Sequence, residues 1–189
     1  QELNARLVFE RAEENPFLMD FYQDPGRFAF QTQIFFLMNR FSQQEEFSQH
    51  DLFNQVTISD YLFAKDRIFA YLNLNEHELT LYEQIYRMIE PKIVRPDLVI
   101  FLQADTETIL RRIKQRARPF EKSVGYDYIE AVNDAYNHFF FRYAETPLLV
   151  INTSDIDFVH NPSDLDDLLR QILTMREGTL YYVPKSRGR

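Results

Sequence analysis

A chain of 189 residues with a net charge of −8 and no cysteine is long enough for one compact domain, and it excludes a disulfide framework, thiol chemistry and cysteine-ligated zinc. The acidic balance argues against general affinity for nucleic acid or an anionic membrane. The lack of cysteine suits a reducing cytoplasm; no apolar run approaches the roughly 18 residues of a helical membrane span, and there is no signal-peptide pattern.

In chain order, Gln1-Glu2-Leu3-Asn4-Ala5 reads as the tail of a helix. Arg6-Leu7-Val8-Phe9 is a short apolar run that predicts a buried strand delivering Glu10 at its C-terminal end. Residues 25–49 turn helical, with Phe28, Phe35, Phe36 and Phe47 spaced among polar residues. Val56-Thr57-Ile58-Ser59 is a second strand, ending in Asp60. Residues 76–93 predict a helix closed by Pro91 and Pro96. Residues 97–102 form a continuous apolar run of the kind buried on both faces of a parallel sheet. A basic helix follows over 106–116, then a loop, then an aromatic helix over about 126–143. Residues 148–152 give the last strand, 162–175 the last helix, and 178–189 a basic, frayed tail. The expected organisation is one domain over 1–177 followed by that tail.

Strands alternating with helices predict an α/β fold with a parallel sheet. Ligands in such sheets bind beyond the carboxyl ends of the strands, where Glu10 and Asp60 both fall. A lone carboxylate there is usually a surface group; two, with a basic helix following, point toward chemistry. Five of the eight residues 111–118 are Arg or Lys, a run whose bland reading is a solvated helix face. The four histidines stand singly, without the i,i+4 spacing of a metal site.

Six short motifs occur in register. They are Glu10-x-x-x-Glu14-Asn15-Pro16-Phe17-Leu18, Phe21-Tyr22-Gln23-Asp24-Pro25, Ala29-Phe30-Gln31-Thr32-Gln33 with Arg40 seven residues on, Ser59-Asp60-Tyr61 running into Lys65-Asp66-Arg67-Ile68-Phe69-Ala70, Pro96-Asp97-Leu98-Val99, and Arg116-Ala117-Arg118-Pro119-Phe120-Glu121. On these the chain resembles the deoxynucleoside kinase family, and within it a bacterial branch acting on deoxyadenosine, deoxyguanosine or deoxycytidine. The resemblance runs from Gln1 to about Pro162. It implies a P-loop kinase fold, ATP and Mg²⁺ as phosphate donor and cofactor, a deoxynucleoside substrate, and a homodimer formed through the 28–47 and 76–90 helices. Yet no G-x-x-x-x-G-K-[ST] loop is present, and none of the glycines Gly26, Gly125, Gly178 and Gly188 is followed by Lys. The expectation is that the family's first strand, phosphate loop and helix start, roughly 20 to 30 residues, would precede Gln1, and that without them the chain transfers phosphate poorly.

The resemblance also implies roles. Glu10 matches the general base that takes the 5′-hydroxyl proton. Tyr22 and Glu121 match the pair that hydrogen-bonds the sugar 3′-hydroxyl. Gln33 matches the side chain that reads the base edge, offering both a donor and an acceptor, and Arg40 a second base-edge contact. Arg112, Arg116 and Arg118 match lid arginines that close over ATP, a use suited to the planar guanidinium fork. Taken alone, Tyr22 is one of eleven tyrosines and Gln33 belongs to a polar helix face.

One departure stands out. Most of the family has Glu-Arg-Ser after the second strand described above, with the Arg steadying the base; here Ser59-Asp60-Tyr61 occupies those positions. Arg118 or Arg67 is then expected to steady Glu10, and Asp60 to hold Mg²⁺ in the manner of a Walker-B aspartate. Lys65 stands where relatives often carry an acid near the base. Two other functions fit parts of the pattern: a non-catalytic nucleoside-binding or dimer-forming module, and a nucleoside monophosphate kinase. The second would require further cations for the acceptor phosphate, which the Tyr22/Glu121 pair does not provide.

Overall fold

The computed structural model describes residues 5–47, 56–121, 124–156, 158 and 161–183. The helical reading of Gln1–Asn4 and the positions of His50 and His160 lie outside them. The architecture is α/β with parallel strands flanked by helices, and the chain forms two compact units: Gln1–Val94 with Arg118–Val124, and Arg95–Ala117 with Gly125–Arg189.

In the first unit, β1 (Ala5–Val8) pairs in parallel with β2 (Val56–Ser59), Ala5 opposite Val56 and Val8 opposite Ser59. The sequence predicts a buried β1; only Val8 is buried, while Leu7 and Phe9 are more than half exposed. The period of two sends alternate side chains to opposite faces, and one face of this ribbon is open. After β1, the turn through Asn15 is tied to the helix layer. Asn15 Nδ2 donates to the Thr32 carbonyl at 3.1 Å, and Asn15 Oδ1 accepts from the Phe17 N–H at 3.0 Å. Helices α1 (Leu18–Gln23) and α2 (Pro25–Phe47) follow, the latter opening on a proline whose missing N–H costs nothing at a helix start.

α2 carries two faces. Phe30, Ile34, Leu37 and Phe41 pack with Phe63, Ala70, Tyr82 and Tyr86 into the unit's core. Those partners come from α3 (Lys65–Asn73), α4 (Glu76–Ile89) and the loop before α3. The aromatic core that composition anticipates is therefore real, though built on different α2 positions from the spaced phenylalanines singled out in the sequence. α4 starts with a capping box: Asn75 Oδ1 accepts from the His77 and Glu78 N–H groups, and Glu78 reaches back to the Asn75 N–H. It ends at Ile89 and continues as a single 3-10 turn over Glu90–Lys92, where Pro91 removes a donor.

The second unit holds a three-stranded parallel sheet in the order β3 (Val99–Gln103), β4 (Leu148–Asn152), β5 (Thr179–Tyr182). β4 is central and buried on both faces, whereas β3 leaves Ile100 and Leu102 substantially exposed, so the reading of 97–102 as doubly buried holds only for Val99 and Phe101. β5 corrects the expected frayed tail. Thr179–Tyr182 is a paired strand, and the Tyr182 hydroxyl donates to Asp167 of α7 (Pro162–Thr174). Leu149, Ile151, Ile156 and Leu168 form the core on that side. On β3, Phe101 stacks on Phe140 of α6 (Tyr126–Phe141) with centroids 4.3 Å apart, a pair worth about 0.5–1.5 kcal/mol beyond its buried area.

α5 (Thr106–Arg116) begins at Asp105, whose carboxylate accepts from the Thr108 N–H at 2.7 Å, and that bond holds the Asp105 carboxyl below its ordinary value. It ends on Ala117 at φ 53°, a left-handed position usually given to glycine.

Candidate active site

The parallel pairing of β1 and β2 brings their carboxyl ends to one edge. The Asp60 N–H donates to the Val8 carbonyl at 3.3 Å, and the Glu10 N–H donates to Asp60 Oδ1 at 2.7 Å. Glu10 and Asp60 are thus neighbours, as their strand-end positions suggest. Glu10 opens onto a cavity of about 180 Å³. Arg11 and Glu14 line one side, and Phe36, Asn39 and Arg40 of α2 line another.

Each oxygen of Glu10 has its own cation. Arg40 Nε donates to Oε1 at 2.6 Å, with Arg40 Nη2 against the same oxygen, and Lys65 Nζ donates to Oε2 at 3.1 Å. Arg40 is 3 % exposed and its guanidinium lies over the Phe36 ring at 5.2 Å. Burial pushes the Glu10 carboxyl up, but Arg40 and Lys65 outweigh it and hold the group below its ordinary value. Lys65 is itself lowered, by burial first and by Arg40 next, against the pull of Glu10. The steadying cation for Glu10 is therefore neither Arg118 nor Arg67. Arg118 lies 3.4 Å from Glu13, and Arg67 pairs with Glu83 at 2.9 Å.

Arg40 also reaches inward. Its Nη1 pairs with Asp66 Oδ2, so one guanidinium spans Glu10 and Asp66 rather than standing free toward a base edge. Asp66 has no exposure, and burial pushes its carboxyl up against the opposing pull of Arg40, Tyr82 and Gln33. Tyr82 of α4 donates its hydroxyl to Asp66 Oδ1 at 2.7 Å. Gln33 Nε2 donates to the Asp66 carbonyl at 2.9 Å and to the Asp66 carboxylate. Nothing in the sequence marks Asp66, because it reads as one more charged residue of Lys65-Asp66-Arg67. Its partners are 33, 26 and 16 positions away.

Tyr61 adds a sealed hydroxyl beside Gln44 and close to Arg40, Glu10 and Asp60; burial foremost pushes its phenol up to about 12. Tyr22 is half-buried on α1, its ring 5.3 Å from Phe21, and α1 packs against the 3-10 turn Pro119–Glu121, so Tyr22 and Glu121 stand on facing elements. Among the predicted lid arginines, Arg112 is engaged within the second unit: Nη1 donates to Thr153 Oγ1 at 2.9 Å and Nη2 to the Thr153 carbonyl at 2.5 Å. Arg116 closes α5 in that unit, while Arg118 belongs to the first.

For a divalent cation, Asp60 presents a hard carboxylate oxygen, Oδ2, beyond the one that accepts from Glu10, chemistry that suits Mg²⁺. Among the described residues no group of three His, Cys, Asp or Glu side chains clusters as a metal cage, and no helix is long and apolar enough to cross a membrane.

Comparison with known proteins identifies the family. The chain is 34 % identical over 177 residues to the deoxyguanosine kinase of Bacillus subtilis, covering 91 % of this chain and 86 % of that protein. It is 33 % identical to the deoxyadenosine kinase of Dictyostelium discoideum, covering 89 % and 69 %. Among solved structures, a deoxyadenosine kinase from M. mycoides with the products dCMP and dCDP superposes at a TM-score of 0.76 with 26 % identity, covering 91 % of this chain and 87 % of that one. The family description "Deoxynucleoside kinase" matches residues 1–176, and the chain belongs to the deoxynucleoside kinase family.

Proposed function

We propose that this protein transfers a phosphoryl group from ATP to the 5′-hydroxyl of a deoxynucleoside, serving nucleotide salvage. The observation that carries the reading is the Glu10 carboxylate, fixed at the end of β1 by Arg40 and Lys65 and facing a cavity walled by α2. Phosphoryl transfer leaves the protein little covalent work: a carboxylate must orient the attacking hydroxyl and accept its proton, and cations must spread the developing charge. Held low, Glu10 stays ionised at neutral pH and takes the proton as the oxygen attacks.

In this reading Tyr22 and Glu121 bind the sugar 3′-hydroxyl, an arrangement supported by the packing of α1 on the Pro119–Glu121 turn. Asp60 would hold Mg²⁺, which would neutralise charge on the donor phosphates. Arg112, Arg116 and Arg118 are the arginines that this reading assigns to the ATP donor. The protein acts in the cytoplasm as a homodimer, with residues 1–177 as its kinase-like domain.

Glu10→Gln tests the assignment. Nucleoside-dependent ATP consumption should fall by about 10²–10⁴-fold while nucleoside binding by calorimetry survives. Undiminished turnover would remove Glu10 from the chemistry. Deoxynucleosides compared with their 5′-monophosphates as acceptors decide against the monophosphate kinase alternative.

A further inference from the structure

Thr153 is the first residue beyond β4, and it is completely buried. Its N–H donates to the Gln103 carbonyl at 2.7 Å, one step past the last paired position of β3 and β4. Its hydroxyl donates to the same carbonyl at 3.0 Å. A hydroxyl has one proton and two lone pairs, so this bond commits the proton and leaves only an acceptor. Arg112 uses it. Nη1 donates to Thr153 Oγ1 at 2.9 Å and Nη2 to the Thr153 carbonyl at 2.5 Å, with the Ile156 carbonyl 3.4 Å from the same Nη2. A guanidinium can only donate, so chemistry sets the direction of every bond in this chain.

The next residue pins the same helix at its start. Ser154 Oγ accepts from the Asp105 N–H at 3.1 Å, and the Ser154 N–H donates to Asn152 Oδ1 at 3.0 Å. Asp105 caps α5 and Arg112 lies seven residues on. Two consecutive residues of one loop therefore hold α5 at two points about 10 Å apart. One tether would let the helix slide or roll; two do not. Arg116, four residues further, is carried on the same face as Arg112.

We propose that Thr153 is a positioning residue for the phosphate donor, its hydroxyl aimed by the Gln103 carbonyl and setting the Arg112 guanidinium before ATP arrives. A free arginine side chain loses rotamer freedom when it binds a ligand; one already clamped does not lose it again. Thr153 does not touch the donor and acts only through Arg112. This rests on the assignment of Arg112 to ATP and goes beyond it by naming the group that holds that arginine ready.

The test is steady-state kinetics of the full-length protein, with ATP and the deoxynucleoside varied separately. Thr153→Val keeps the shape and the backbone bonds and deletes the hydroxyl. KM for ATP should rise about three- to tenfold, with KM for the deoxynucleoside unchanged. Thr153→Ser restores the hydroxyl and should restore KM for ATP. Added to Arg112→Met, Thr153→Val should do nothing more, as action through Arg112 alone requires. If the valine variant does not fold, Thr153→Ala against Thr153→Ser isolates the same hydroxyl. An unchanged KM for ATP in the folded valine or alanine variant overturns the proposal. So does a serine variant as impaired as either, or an equal shift in both KM values, which would mark a general loss of structure. Should Arg112→Met leave KM for ATP unmoved, the assignment of Arg112 falls and the proposal with it. Absence of nucleoside-dependent ATP consumption in the unaltered protein overturns the kinase reading itself, and with it the proposal.

Discussion

Arg40 Nε donates to Glu10 Oε1 at 2.6 Å, joining the second helix to the end of the first strand through two side chains 30 positions apart. Because the same guanidinium holds Asp66, Arg40 neutralises one carboxylate at the cavity and another in the core. Removing it would leave Asp66 buried without its cation. Arg40→Met should therefore destabilise the fold by about 3–5 kcal/mol, the range for breaking a buried pair from one side. Urea denaturation followed by circular dichroism measures this, and a change below 1 kcal/mol would mean that Asp66 is neutral in the folded protein.

Lys65 makes a separable contribution on the other oxygen of Glu10. Lys65→Met should raise the Glu10 titration, visible in the carbon shift of the labelled carboxyl. The stability side carries a definite sign. Glu10 is depressed in the folded state, so its contribution is complete above the unfolded value and is lost as pH falls through the folded one, below the ordinary 4.5. Acid unfolding of the Lys65 variant should then begin at higher pH. An unmoved carboxyl would show that Arg40 alone sets it.

The capping box of α4 gives a cleaner local test. Asn75→Ala removes the acceptor for two backbone N–H groups and should cost about 1 kcal/mol. Since α4 carries Tyr82, the variant should also loosen Asp66, and hydrogen exchange along Lys65–Asn73 should rise.

Ala117 pulls the other way. Its φ of 53° strains an L side chain, so Ala117→Gly should stabilise by about 0.5–1 kcal/mol, read as a raised melting temperature. No gain would mean that the flexibility glycine adds to the unfolded chain cancels the relief.

The fold was largely legible where one face or one long apolar run settles the matter. β4 falls where its apolar run puts it, and α5 spans the 106–116 that its basic helical pattern predicts. β5 was not, because four residues between Gly178 and a basic end read as tail, although Thr179-Leu180-Tyr181-Tyr182 is rich in strand formers. The site divides similarly. Glu10 and Asp60 announce themselves as carboxylates at strand ends. What holds Glu10 does not, since Arg40 and Lys65 arrive from two helices and share no local pattern with it. Asp66 is harder still: charge predicts exposure, and only the combined approach of Gln33, Arg40 and Tyr82 makes its burial tolerable.

α2 runs unbroken from Pro25 to Phe47. Gln33 and Arg40, seven residues apart, are therefore held about 10 Å from each other along a rigid rod. Any tilt or slide of that rod moves both together, so a backbone change that repositions Gln33 would also disturb the Glu10 carboxylate that Arg40 holds. Changes at Gln33 that spare Glu10 must therefore come by side-chain exchange, with the geometry of the rod left intact.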